Sequence, residues 1–214
     1  MKKHVLEVDG IQKSFKERLV LSNIYLKCET TEIIGLLGRN GSGKSTLFKI
    51  IFGIESALNK SIRIDGVSKN LAVDVYKDIS YLHQEKFIPN HLSVRKTISL
   101  SVEKEKINTF CDDRHILALL NKKIKHLSGG ELRYLQIKTV LFNPTKFVLL
   151  DEPYSGLSPL MIDLVNALIV ENSKFKGIII TDHNYENVIR ISTRLILLKD
   201  GKSYNIKEKA ELVW

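Results

Sequence analysis

Residues 38 to 46, GRNGSGKST, place three glycines, one lysine and two consecutive hydroxyl side chains in nine positions. Glycine, four residues, then Gly-Lys-Ser is the spacing of a phosphate-binding loop. Gly38, Gly41 and Gly43 permit a tight turn, with Asn40 and Ser42 completing the loop, whose backbone N–H groups point inward. Successive N–H groups running into a helix N-terminus make an anion nest. Lys44 brings a full positive charge to β- and γ-phosphates, Ser45 offers a hydroxyl to Mg2+, and Thr46 adds a further donor. Such a site needs an acidic partner at the end of another buried strand. FVLLDEP (147–153) supplies it: Asp151 is placed to hold Mg2+, Glu152 is a candidate general base for an attacking water, and Pro153 fixes the backbone beyond them.

LSGGE (127–131) is the second unusual stretch, because LRYLQIKTVL after it has the character of a helix. Ser128 and Glu131 have the spacing of a capping box, Ser128 as N-cap and Glu131 reaching back from the third helical position. That box does not explain Gly129 and Gly130, each of which costs about 1 kcal/mol relative to alanine in a helix. Bare N–H groups at the positive end of a helix suit close approach to a phosphate.

These residues require particular elements to hold them. IIGLL (33–37), FVLL (147–150) and GIIIT (177–181) are short continuous apolar runs, as in strands buried on both faces. The first 30 residues predict β-structure, SIRIDG (61–66) a strand and turn, ISYLHQ (79–84) a strand, and RLILLKDGK (194–202) a late strand and turn. Helices are expected from the phosphate loop to about Phe52, where Gly53 stops it, and from Pro159. Residues 93 to 121 turn helical and polar, with apolar side chains at 116, 117, 119 and 120. Buried strands alternating with helices predict a parallel, doubly wound α/β sheet, interrupted by a helical insertion at 85–126.

With 214 residues, 43% hydrophobic and 27% charged, the chain has the composition of a soluble globular protein. No apolar run approaches the roughly 20 residues needed to span a bilayer, and the N-terminus has no signal-peptide core. Cys28 and Cys111 are too far apart for a metal or redox motif and are expected as free thiols in a reducing, cytosolic compartment. Net charge is +9, of which +4 lies in residues 95–126 (eight Lys or Arg against four Asp or Glu). No basic stretch is interleaved with aromatics, so direct nucleic-acid binding is not expected.

Taken in order, these motifs resemble those of the ATP-binding cassette of ABC transporters, over roughly residues 4 to 205. The resemblance implies an α/β fold: a P-loop NTPase core with a mainly parallel sheet, an N-terminal antiparallel β-subdomain and a small inserted helical subdomain. It implies one domain, 1–214, with its nucleotide-binding core at about 1–84 and 127–214 and its helical subdomain at about 85–126. It implies ATP and Mg2+ as ligands, with Phe15 stacking on adenine. Gln84 resembles the glutamine that senses Mg2+ and the lytic water, and joins Ser45 and Asp151 as metal-site residues. LSGGE resembles the signature motif, whose Ser128, Gly129 and Gly130 would meet the γ-phosphate held by another subunit. Residues 155–158 resemble the loop after the catalytic acid, and His183 the histidine that holds the γ-phosphate. Lys44, Gln84, Glu152 and His183 are then the catalytic set.

The expected protein is an ATP-hydrolysing transporter subunit, a homodimer or a heterodimer with a similar cassette when ATP-bound. It would work with a separate transmembrane permease on the inner face of the cell membrane. TDHN (181–184) resembles the short cassettes of lipopolysaccharide export and of branched-chain amino-acid import. Four features depart from the family pattern: Glu131 for Gln, Ser158 for Asp, Thr31-Glu32 for Gly-Glu, and a short 43-residue interval from Gln84 to Leu127. Two rivals are a soluble, non-transport cassette acting on DNA or the ribosome, and a regulatory cassette with weak hydrolysis. The single cassette without a coiled-coil insertion argues against the first. The presence of Lys44 and Glu152 argues against the second.

Overall fold

Two sheets organise the chain in a computed structural model that describes residues 3–70, 72–85 and 87–206. Both limits of the expected 1–214 domain, Trp214 included, lie outside the described residues. The first sheet has the order β2-β1-β4-β5 and is antiparallel throughout. It comprises β1 (Val5–Phe15), β2 (Arg18–Glu29), β4 (Asn59–Ile64) and β5 (Val67–Ser68). The second has the order β10-β9-β3-β8-β7-β6. Its strands are β3 (Ile33–Leu37), β6 (Ile79–Leu82), β7 (Phe147–Asp151), β8 (Gly177–Thr181), β9 (Arg194–Lys199) and β10 (Lys202–Ile206). All its neighbours run parallel except β10, which turns back on β9. The expected mainly parallel core with an antiparallel N-terminal sheet is therefore present.

β3, β6, β7 and β8 are buried at every position. Their uniform apolar character conceals a period of two. Ile33, Val148, Leu150, Ile178 and Ile180 enter one core layer, while Ile34, Leu36, Leu149 and Ile179 enter the other. The second layer is covered by the antiparallel sheet and by α1 (Lys44–Phe52). Cys28, on β2, faces this layer with no exposed surface. The first layer is covered by α6 (Gly129–Phe142), α7 (Pro159–Ser173), α8 (Tyr185–Ile191) and the segment between β6 and α6. Phe48, Phe110 and Phe147 are fully buried, each stabilising by about 1.5–3 kcal/mol.

Glycines set two close approaches. A Cβ on Gly35 would stand 2.6 Å from Ser192 Oγ and 2.9 Å from Val188 Cγ1, so the bare strand admits α8. At the end of α1, Gly53 takes the left-handed conformation (φ 87) and donates to Ile50 and Lys49 carbonyls, as a helix C-cap should.

Between β6 and α6 the expected helical stretch is broken into short pieces: α3 (Val94–Ser101), α4 (Ile107–Cys111), α5 (Arg114–Leu117) and 3-10 turns at Lys104–Lys106 and Ile124–His126. A further short helix, α2 (Ala72–Tyr76), precedes β6. Ser93 caps α3 and Asp113 caps α5. Asp113 also accepts from Lys138 Nζ (2.5 Å) and Tyr134 Oη (2.7 Å) on α6. One half-buried carboxylate thus starts a helix and ties that segment to α6. Burial opposes its charge, but the Lys138 and Tyr134 bonds outweigh this and hold its pKa below the usual range. Among the described residues, no helix is long and apolar enough to cross a membrane.

Candidate active site

The phosphate loop is set by its glycines and by what lies behind it. Gly38 has φ 153 and Gly43 φ 103. A Cβ on Gly38 would meet the Leu198 carbonyl oxygen at 2.5 Å, and one on Gly43 would meet Leu21 and Val20 side chains at 2.9 Å. β9 and β2 therefore hold the loop in a form only glycine allows. Lys44, at the first turn of α1, folds back and donates to the carbonyls of Gly38 (2.6 Å) and Arg39 (3.1 Å). Burial lowers its pKa, against the pull of Glu152 and Asp151.

Asp151 closes β7 and is 1% exposed. Its Oδ1 accepts from Ser45 Oγ (3.0 Å) and its Oδ2 from Tyr81 Oη (3.0 Å). Burial raises its pKa despite those two bonds, so a cation here would relieve a carboxylate held in an unfavourable medium. Gln84 Nε2 donates to Ser45 Oγ (3.3 Å) and to Glu152 Oε1 (2.8 Å). His183 Nε2 lies 2.8 Å from the same Oε1. Among the described residues no cluster of three His, Cys, Asp or Glu could hold a metal. The donors present are instead one carboxylate, one hydroxyl and one amide. The carboxylate and hydroxyl oxygens, with the Gln84 amide turned to offer its oxygen and with added phosphates, would suit Mg2+.

A cavity of about 400 Å3 is lined by Phe15, Asn40, Gly41, Gly43, Lys44, Ser45, Thr46, Gln84, Glu152 and His183. Of the expected site residues, these ten are brought together, with Asp151 behind Ser45. Phe15, at the end of β1, is 46% exposed with Lys13 Nζ 4.8 Å over its ring. Ser42 faces a neighbouring cavity of about 510 Å3 between the loop and the β9–β10 turn. Its Oγ is buried without a hydrogen-bond partner.

Ser128, Gly129 and Gly130 are not brought there. They line a separate cavity of about 740 Å3 with Gly156 and Ser158. The capping box is formed: Ser128 Oγ accepts from Glu131 N (3.2 Å) and Glu131 Oε2 from Ser128 N (2.7 Å). Lys122 Nζ occupies the other oxygen of Glu131 at 3.0 Å. The backbone bond from Ser128 keeps this carboxylate's pKa low. Both oxygens face the chain's own groups, which accounts for an acid at this position. A Cβ on Gly129 would have nothing within 4 Å, and one on Gly130 would approach Gly156 O no closer than 3.7 Å. Packing within the chain does not require these glycines. Ser158 caps α7 through Met161 N (3.4 Å).

Four residues of this region carry no local sequence signal. Tyr81 holds Asp151 as described. Tyr185 Oη donates to the Gly38 carbonyl (2.9 Å). Asp182, 5% exposed, accepts from Tyr154 N (2.8 Å) and Asn184 N (2.9 Å), joining the loops on either side of Glu152 and His183. Arg133, 6% exposed on α6, donates to the carbonyls of His83, Asp151, Glu152 and Pro153. A buried charge demands such partners, but its burial shows only in the fold.

Comparison with known proteins places this geometry. The ABC transporter family matches residues 21–155. The lipopolysaccharide export system ATP-binding protein LptB of Haemophilus influenzae is 31% identical over 212 residues, covering 92% of this chain and 88% of the relative. LptB of Escherichia coli K12 is 32% identical, covering 92% and 87%. Among solved structures, an ATP-binding subunit of an ABC transporter superposes with a TM-score of 0.83 at 20% identity, covering 94% of this chain and 90% of that one. A nucleotide-free ATP-binding cassette gives 0.81 at 19% identity, covering 98% and 93%. Those two show the fold; the match over residues 21–155 and the relatives show the kinship. The chain belongs to the ABC transporter family, as an ATP-binding and ATP-hydrolysing subunit that works with a separate membrane partner.

Proposed function

We propose that the 400 Å3 cavity is the hydrolytic site and that a second cassette completes it. The observation that carries this is the contact of Gln84 and His183, both at 2.8 Å, with one oxygen of Glu152 on the rim of the Lys44 cavity. In this reading Lys44 leaves the Gly38 and Arg39 carbonyls for the β- and γ-phosphates of ATP. Phe15 stacks on adenine, and Asn40, Gly41, Ser42, Gly43 and Thr46 cradle the phosphates. Ser45, Asp151 and Gln84 would hold Mg2+, which supplies positive charge at the phosphate oxygens. Glu152 takes a proton from water as the water oxygen bonds to the γ-phosphorus and the bond to the β–γ bridging oxygen breaks, releasing ADP. His183 steadies the γ-phosphate and Gln84 the water.

Ser128, Gly129 and Gly130 stand apart from Lys44 in a cavity of their own, with open space above Gly129, which supports their service to a second chain, a like copy or a similar cassette. The residues divide on this reading into a nucleotide-binding core, about 1–84 and 127–214, and a helical subdomain, about 85–126, on which the permease docks. Closing and opening of the pair would drive the permease from the inner face of the membrane. The kinship to LptB makes lipopolysaccharide-type amphiphiles the first cargo to test in a reconstituted complex.

Replacing Glu152 by Gln tests the core of this proposal. The variant is expected to bind ATP, accumulate as an ATP-bound dimer in size-exclusion chromatography, and lose nearly all phosphate release. Wild-type turnover would sink the role given to Glu152.

A further inference from the structure

We infer that Arg133 is a positioning residue for the hydrolytic step, holding the backbone that presents Glu152 and Gln84. The inference rests on the reading that these two side chains handle the attacking water. Arg133 sits on α6, three residues beyond Gly130, and its guanidinium reaches the main chain on either side of Glu152 and just before Gln84. Nη2 donates to Asp151 O and Glu152 O, both at 2.8 Å, Nη1 to His83 O at 3.0 Å, and Nε to Pro153 O at 3.4 Å. All four acceptors are main-chain carbonyls. They come from two segments, the end of β7 and the residue immediately before Gln84.

The chemistry requires that grip. Glu152 has φ 50, a left-handed conformation that a non-glycine residue keeps only where its surroundings impose it. Its carbonyl must also be satisfied, because the turn lies against buried structure. A planar guanidinium with N–H groups in a fixed fork can bind carbonyls of two segments at once and so fix their separation. A lysine offers one nitrogen and cannot span the same set. Burial disfavours the charge on Arg133 and lowers its pKa, with Asp151, Asp182 and Glu152 opposing. The charge is thus kept inside by the motif it organises. Lys44, Ser45 and Phe15 are not among the bonding partners of Arg133. Its loss should therefore disturb turnover and spare nucleotide binding.

The test compares Arg133→Lys and Arg133→Met with Glu152→Gln, Gln84→Ala and the double variant Arg133→Met/Glu152→Gln. Readouts are kcat and KM for phosphate release, ATP affinity and thermal unfolding. Arg133→Met is expected to lower kcat by about 10²-fold, the scale of a misplaced catalytic group, with ATP affinity near wild type. Arg133→Lys should fall between the two. In the double variant, the loss should be smaller than the product of the two single losses, since Arg133 acts in part through Glu152. A merely structural role would multiply the two losses. Should Arg133→Met fail to fold, Arg133→Lys decides, and an unchanged kcat there overturns the inference. If Glu152→Gln and Gln84→Ala hydrolyse ATP at the wild-type rate, the reading of the site fails. If they lose activity while the Arg133 variants keep theirs, or the losses multiply, the inference about Arg133 alone fails.

Discussion

If a second cassette completes the site as proposed, Gly130→Asp separates what this chain does alone from what it does for that partner. Position 130 is the second residue of α6, and an added Cβ meets nothing closer than 3.7 Å. Aspartate is itself a weak helix former, so replacing glycine gains only about 0.3 kcal/mol of helix propensity. An aspartate in the first turn also interacts favourably with the helix dipole, by about 0.3–1 kcal/mol. The isolated chain should therefore gain about 1 kcal/mol, which for a chain of this size raises Tm by about 2–4 °C. ATP binding at Lys44, in a different cavity, should not change. A phosphate held by a second chain would experience the opposite effect. A carboxylate about 4 Å from it, at an effective dielectric near 20, adds about 4 kcal/mol of repulsion, roughly a 10³-fold loss in closure and hence in turnover. Thermal unfolding, ATP titration and phosphate release on one preparation give all three signs. A more stable protein that binds ATP and does not hydrolyse it is the expected result. Hydrolysis at the wild-type rate would refute the reasoning. So would a stability loss large enough to explain the inactivity.

Two further predictions concern the frame around the site. Asp65 accepts from Val5 N (2.9 Å), His4 Nδ1 (2.7 Å) and Lys146 Nζ (3.4 Å), joining the antiparallel sheet to the approach of β7. Burial opposes its charge, but these donors hold its pKa at about 2, below the ordinary 3.8. A depressed carboxylate stabilises the fold above its unfolded pKa, and that stability is lost as pH falls through the folded value. Asp65→Asn, which keeps a residue tolerant of the left-handed backbone there, should cost about 1 kcal/mol at pH 7, and urea titrations should show the gap narrowing by pH 3. In β8, a Cβ on Gly177 would stand 2.7 Å from the Phe147 ring and 2.8 Å from the Glu29 carbonyl. Gly177→Ala should destabilise by about 1–3 kcal/mol through overpacking, read as a lower urea midpoint.

The strands and long helices were legible because their signals are local. IIGLL and GIIIT coincide with β3 and β8, and the Ser128–Glu131 capping box formed as its spacing implies. The region from 93 to 126 was harder. Its helices are four to eight residues long, too short for a 3.6-residue period to declare itself. Leu117, one of four neighbouring apolar residues, turns outward at 53% exposure while Ile116 and Leu119 are buried. Sequence spacing nominated Lys44, Asp151 and Glu152, since each sits at a junction of strand, loop and helix. It was silent on Tyr81 and Arg133. Their partners lie 70 and 18 to 50 positions away, and only the folded register of β6, β7 and α6 brings them within reach.

The placement of the two cysteines has a practical consequence. Cys28 is sealed in the core layer beneath β2, and burial pushes its thiol pKa far upward, so it offers almost no thiolate to a reagent. Cys111 closes α4 and keeps part of its surface. The native chain therefore carries one addressable thiol, on the segment between Gln84 and the signature helix. A maleimide fluorophore there would report movement of that segment during turnover without any cysteine being added or removed.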